Sequence, residues 1–185
     1  HLLQFALMGS ALAAAVEGRP DPTVGLLNIG EEAIKGSETI KQAAELLRRA
    51  ASHGLLNFHG NVEGNDIYKS TTDVVVCDGF VGNVVLKTLE GGMKAVIRGL
   101  LEAFASAPEY KEHADALMPA LLPLYTQLDP ETYGGAMLLG VDGVCIISHG
   151  SSNAVSILNA AKVARDMVEA DLVGALRAAI RDVGE

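Results

Sequence analysis

The chain has 185 residues, enough for one domain of ordinary size with a real core and too few for two full ones. A hydrophobic fraction of 49%, with 20 glycines and only 4% aromatics, excludes a disordered chain and suits an α/β protein built from Ala, Val, Leu and Gly. A formal charge of −9 sets the whole-protein field against nucleic acid and anionic membrane as main partners, and no basic cluster offsets it.

From His1 the apolar positions Leu2, Leu3, Phe5, Ala6 and Met8 take helical spacing at once, and the pattern runs to about Glu17, where Gly18 and Pro20 end it. A helix with neither cap nor lead-in points to a segment missing upstream. Val24 to Asn28 reads as a strand, followed by the turn Ile29-Gly30-Glu31-Glu32. Ser37 is the expected N-cap of a helix carrying Ile40, Ala43, Ala44, Leu47 and Ala51 on one face, stopped by Gly54. Leu55 to Phe58 is a second strand, left by an irregular stretch from His59 to Asp66. The third strand, Val74 to Cys77, is a β-branched run suited to burial on both faces. It leads through Asp78-Gly79-Phe80-Val81-Gly82 into a helix from Asn83.

Strands alternating with helices predict a parallel sheet covered by helices. The turns at the strand C-termini carry Asn28 and Glu31, Asn61 and Glu63, and Asp78 with Gly82 and Asn83. In a parallel sheet these ends share one edge, where open α/β sheets bind ligands, so the polar groups should converge there. Glycines allow close backbone approach, and free N–H groups at a helix start favour an anion.

Met93 to Leu128 reads as two amphipathic helices jointed at Pro108, with Pro119 and Pro123 expected to kink or shorten the second. Tyr133-Gly134-Gly135-Ala136 opens a new unit, with a strand near Val144 to Ile147. His149-Gly150-Ser151-Ser152 then leads into a helix near Asn153, and a last helix runs from about Asp171 to Arg181. This second strand-turn-helix offers backbone N–H groups, two hydroxyls and an imidazole, a set suited to phosphate or an oxyanion. Ser151 or Ser152 capping the helix, and His149 as a structural histidine, are the plain alternatives.

Asn83 and Lys87 stand one helical turn apart on a shared face. Asn83 can donate to a ligand oxygen, and Lys87 can meet an anion or pair with Asp78 or Glu90. Asp78 and Asp66 are chemically able to act as general bases or metal ligands, but no spaced His/Asp/Glu cluster defines a metal site. Cys77 and Cys145 sit in apolar runs and read as buried core residues of a reducing compartment. No apolar run reaches the ~20 residues of a membrane span and no signal peptide is present, so a soluble, cytoplasmic protein is expected. Dinucleotide, Walker and Gly-x-Ser-x-Gly motifs are absent. The residues alone reach an α/β protein that binds an anionic small molecule or phosphoryl group.

The wording of five motifs goes further: Val24-Gly-Leu-Leu-Asn-Ile-Gly-Glu-Glu32, Asn57-Phe-His-Gly-Asn-Val-Glu-Gly64, Asp73-Val-Val-Val-Cys-Asp-Gly-Phe-Val-Gly-Asn83, Tyr133-Gly-Gly-Ala136 and Ser148-His-Gly-Ser-Ser152. In this order, over nearly the whole chain, they resemble the C-terminal half of the bacterial phosphate acyltransferase family PlsX. The resemblance implies a three-layer αβα sandwich with a mostly parallel sheet, similar to the isopropylmalate dehydrogenase and phosphotransacetylase group, in a homodimer that needs no metal or other cofactor. Residues 1–140 would be the second domain, with the cleft and helical hairpin, and 141–185 the return to a first domain largely outside this chain.

The implied reaction moves a fatty acyl group from acyl carrier protein to inorganic phosphate. The resemblance then suggests His149, Asn83 and Lys87 as the catalytic set. Gly82, Gly150, Ser151 and Ser152 would bind phosphate or the oxyanion, while Asn28, Glu31, Asn61, Glu63 and Asp78 shape the cleft. In the same family a hairpin like 93–128 serves dimer packing or peripheral attachment to the inner face of the membrane. The alternatives are a phosphotransacetylase-like enzyme acting on acyl-CoA and a non-catalytic fragment that binds a partner or a membrane. Without the family's first half, no turnover is expected from this chain alone.

Overall fold

The computed structural model describes residues 1–128, 135–148, 150 and 152–181, and the side chains of all of these but 124–128. The elements in chain order are α1 (Leu2–Glu17), β1 (Thr23–Leu27), α2 (Glu38–Ser52), β2 (Asn57–Val62), α3 (Asp66–Lys69), β3 (Val74–Val76), α4 (Gly79–Phe104), α5 (Pro108–Leu128), β4 (Ala136–Met137), β5 (Ile146–Ile147), α6 (Ala154–Glu169) and α7 (Leu172–Arg181). They group into two units. The first contains His1–Gly79, Met137–Cys145 and the chain from Val163 onward, and the second contains Phe80–Ala136 and Ile146–Lys162.

The first unit is built on a parallel sheet of order β2-β1-β3, flanked by helices, as the alternation of elements predicts. Val24 and Leu26, two residues apart on the central strand, point to one face and are fully buried. Leu2, Ala6 and Leu7 of α1 and Ala43, Ala44, Leu47 and Ala50 of α2 close over them. Each such Leu or Val contributes about 1.5–3 kcal/mol by leaving water. Gly18, left-handed at φ 66°, ends α1. Ser37 Oγ accepts from Ile40 N at 3.4 Å to cap α2, with Glu38 in the first turn and Arg49 in the last, both suited to the helix dipole. At the start of the sheet, Asp73 ties β3 to β1: it accepts from Thr23 N at 2.8 Å and Thr23 Oγ1 at 2.7 Å, and pairs with Arg19.

In the second unit, α4 and α5 form the expected hairpin, joined just before Pro108. No side chain of α4 is buried, and α5 passes through Pro119 and Pro123 without being shortened. Val96, Leu100, Leu101, Leu117 and Leu122 stand exposed along the two helices.

Several boundaries differ from the sequence reading. β2 starts two residues late and runs on to Val62, so Asn61 belongs to a strand and not to an irregular turn. α4 starts at Gly79, which draws Gly79 to Gly82 into its first turn and leaves only Cys77 and Asp78 between strand and helix. β3 is not buried along its length: Val76 is buried, whereas Val74 and Val75 are half-buried. The strand near Val144 shrinks to Ile146–Ile147 and pairs with β4 apart from the parallel sheet. Cys77 is half-buried and Cys145 exposed, both free, so neither is the buried strand residue expected. Tyr133 and Gly134 lie outside the described residues.

Candidate active site

Parallel pairing sets the C-terminal ends of β1, β2 and β3 along one edge of the sheet. Two asparagines organise the long connection from β1 to α2 at that edge. Asn28 N donates to Val62 O at 2.8 Å, continuing the ladder one residue past β1. Its side chain then folds back over the loop: Oδ1 accepts from Ile29 N at 2.8 Å and Nδ2 donates to Lys35 O at 3.2 Å. Gly36 lies close against that amide with φ 87°, so a Cβ there would meet both a strained backbone and Asn28 Oδ1.

Asn61 reaches the same loop from β2. Its Nδ2 donates to the backbone oxygens of Glu31 and Glu32, 3.4 Å each. A β-bulge explains how it gets there. The β1–β2 register pairs Val24 with Phe58 and then Gly25 with Gly60, skipping His59. Without that shift Gly60 would stand opposite Leu26; with it, Asn61 does, and the strand's alternation is reset so that Asn61 lies on the same face of the sheet as Leu26. Gly60 supplies the φ of 130° that the kink requires.

Glu63, the next polar residue, is fixed through its backbone. Asp66, 5% exposed, accepts from Glu63 N at 2.8 Å, Thr71 Oγ1 at 3.1 Å and Lys69 Nζ at 3.2 Å. The Glu63 N–H bond, followed by those from Lys69 and Thr71, holds the Asp66 carboxyl below its ordinary value against the opposing effect of burial. With its oxygens occupied in this way, Asp66 organises the turn, and the general-base or metal-ligand reading of it gives way to a structural one. Among the described residues no group of three His, Cys, Asp or Glu side chains stands close enough to hold a metal ion.

Asn28 and Asn61 thus meet the backbone of the loop from β1 to α2 at one edge of the first unit, and Glu63 follows directly after β2. Asp78, following β3, is exposed. Burial, and then the Asp78 carboxylate beside it, push the Cys77 thiol up, away from nucleophile chemistry.

In the second unit, Gly82 and Asn83 lie within the opening turns of α4, and Lys87 follows Asn83 by one turn. Lys87 Nζ pairs with Glu90 at 2.9 Å, the structural alternative for this residue. Ahead of α6, Gly150 is exposed and Ser152 half-buried, while His149 and Ser151 lie outside the described residues. The helix cap comes from Asn153, whose Oδ1 accepts from Ser156 N at 3.0 Å and Ser156 Oγ at 3.3 Å. That role was expected of Ser151 or Ser152. Asn three residues before Ser is the local signal that marks it.

The sequence matches the model of a family described as fatty acid synthesis protein over residues 1–174. The chain belongs to this family. Proteins similar to it include the phosphate acyltransferase of Polaromonas sp. strain JS666, 53% identical over 96% of this chain and 48% of the relative. The phosphate acyltransferase of Verminephrobacter eiseniae is 52% identical over 97% of this chain and 51% of its own length. The chain therefore spans about half the length of the curated relatives it matches. Every motif of the resemblance to phosphate acyltransferases falls inside the stretch that the fatty acid synthesis model covers.

Two features of this family member escaped the sequence. Asp73 clamps Thr23 across 50 positions, a pairing that only the folded register reveals. The bulge at Gly60 was visible as a glycine but not as a shift in pairing.

Proposed function

We propose that the complete protein containing this chain transfers a fatty acyl group from acyl carrier protein to inorganic phosphate, giving acyl phosphate for phospholipid synthesis. The observation that carries the reading is the match of 1–174 to the family together with relatives named phosphate acyltransferase at about half identity. The chemistry suits a site of amides, glycine-rich turns and helix starts. A phosphate oxygen attacks the thioester carbonyl, the tetrahedral oxyanion collapses, the C–S bond breaks and the thiolate leaves with the acyl group now on phosphate. Phosphate is already an anion at neutral pH, and a thiol with a pKa near ~8.5 leaves without strong acid assistance. Catalysis then reduces to holding phosphate against the carbonyl and stabilising the oxyanion.

In this reading Asn83, Gly82 and Lys87 serve from the start of α4, and His149, Gly150, Ser151 and Ser152 from the turn before α6. Asn28, Glu31, Asn61, Glu63 and Asp78 shape the edge of the sheet. Residues 1–140 form the second domain of the complete protein, and 141–185 return to the first. No helix among the described residues is long and apolar enough to cross a membrane. The protein works in the cytoplasm as a homodimer, with the α4–α5 hairpin packed against a partner subunit.

The exposure of Val96, Leu100, Leu101, Leu117 and Leu122 supports a covered hairpin. Lys94, Arg98 and Lys111 stand against Glu102, Glu109, Glu112 and Asp115 there, which argues against an anionic bilayer as the cover. Leu100→Asp with Leu121→Asp should dissociate the dimer in sedimentation; loss of liposome flotation with the dimer intact would reverse that assignment. The activity itself is tested by supplying the complete protein with phosphate and either acyl carrier protein or CoA thioesters. Acyl phosphate from the carrier-protein thioester is expected, whereas turnover confined to CoA thioesters would place the protein with phosphotransacetylases.

A further inference from the structure

The sequence holds no basic run, yet α4 collects three of its cations on one face. At about 100° per residue, Lys87, Lys94 and Arg98 fall within about 40° of one another around the helix, on the side that also carries Asn83. The half-buried residues Val85, Leu89, Met93 and Ile97 form a second stripe, about 140° away. Packing of the apolar face therefore leaves the basic one in solvent. All three cations are exposed. Lys87 pairs with Glu90, whereas Lys94 and Arg98 form no ion pair among the described residues. Gly91 stands on the same side, where a Cβ would meet nothing within 4 Å, so the described chain leaves the stripe uncovered. On α2, by contrast, Glu45 interrupts Lys41 and Arg48. In a chain of formal charge −9, two free cations one helical turn apart are a local exception.

We propose that the Lys94 and Arg98 face of α4 docks an acidic helix of the carrier protein that delivers the acyl thioester. The inference rests on the acyl-transfer reading above and adds where the carrier sits. Lys94 and Arg98 lie about 16 and 22 Å along the helix from Asn83, which that reading sets beside the phosphate. A thioester borne on a flexible arm is delivered from such an offset surface. A carrier helix crosses α4 over a few turns and so meets the two free cations. A bilayer meets the whole hairpin, where Glu102, Glu109, Glu112 and Asp115 oppose it. Complementary charge acts mainly on encounter rate and register, over a Debye length of ~8 Å at physiological salt. Glu102, one turn beyond Arg98, bounds the stripe.

The test is steady-state kinetics of the complete protein with an acyl carrier protein thioester and with a neutral acyl pantetheine thioester, at low and high salt, beside sedimentation and liposome flotation. Lys94→Glu combined with Arg98→Glu should raise the carrier-thioester KM by about tenfold or more at low salt and hold kcat within about twofold. Most of that difference should vanish near about 0.5 M salt. Turnover of the pantetheine thioester and the dimer should stay unchanged. Glu102→Lys, a gain that misfolding cannot mimic, should lower the carrier KM by about twofold to threefold. An unchanged carrier KM in the double variant overturns the inference and leaves the function standing. Equal losses with both thioesters also overturn it, as does loss of the dimer, which assigns the stripe to the subunit interface. Loss of flotation with the carrier KM unchanged assigns the stripe to a bilayer and overturns the docking. No phosphate-dependent acyl transfer from the carrier thioester by the unmodified protein overturns the function and the inference together. If the double variant does not fold, Glu102→Lys decides.

Discussion

Asp66 and Asp73 show how single carboxylates hold this fold. Backbone N–H donation, from Glu63 to Asp66 and from Thr23 to Asp73, is the main cause that holds each below the ordinary aspartate value of 3.8. A group whose folded pKa is depressed contributes stability that is fully present above its unfolded value and lost as pH falls through the folded one. The thermal midpoint of the complete protein should therefore drop as pH is lowered below about 5, and Asp66→Asn and Asp73→Asn should each flatten that drop. A slope unchanged in both variants would remove these aspartates from the account. Cysteine reactivity gives a second check: iodoacetamide should label exposed Cys145 before Cys77, whose thiol is half-buried and pushed up. The sequence makes Asp66 look like a base or ligand, because residue type shows what a carboxylate could do and not which N–H groups already occupy it.

Among the elements, type was more legible than extent. The helix Glu38–Ser52 was readable from its Ser37 cap and apolar stripe, and α4 and α5 from their joint at Pro108. β2 is harder to read, because its polar run Asn57-Phe58-His59-Gly60-Asn61 hides a strand held by pairing with β1. Glycine at 79 and 82 suggests a turn before α4, although the helix begins at Gly79. The loop from β1 to α2 depends on Gly36 being glycine. Gly36→Ala should cost about 1–2 kcal/mol for the left-handed backbone alone, and it should loosen the loop by displacing the Asn28 amide. Leu26→Ala, deep in the central strand, should cost about 2–5 kcal/mol. Denaturant midpoints compared with the parent protein measure both.

For the molecule as a whole, the wording of the motifs revealed the family where physics alone reached only an anion-binding α/β protein. Exposed Ile29 and the exposed apolar stripes of α4 and α5 are surfaces that the described residues leave uncovered. The 185-residue chain alone should accordingly form no acyl phosphate, and detectable product from it would contradict the need for the rest of the relatives' length. The most direct test of the central claim is phosphate-dependent release of free thiol from an acyl carrier protein thioester by the complete protein and its Asn83→Ala and His149→Ala variants. The parent should release thiol only when phosphate is supplied, and each variant should be slower by on the order of 100-fold, the worth of one oxyanion or phosphate donor. Undiminished phosphate-dependent release in both variants would contradict the account.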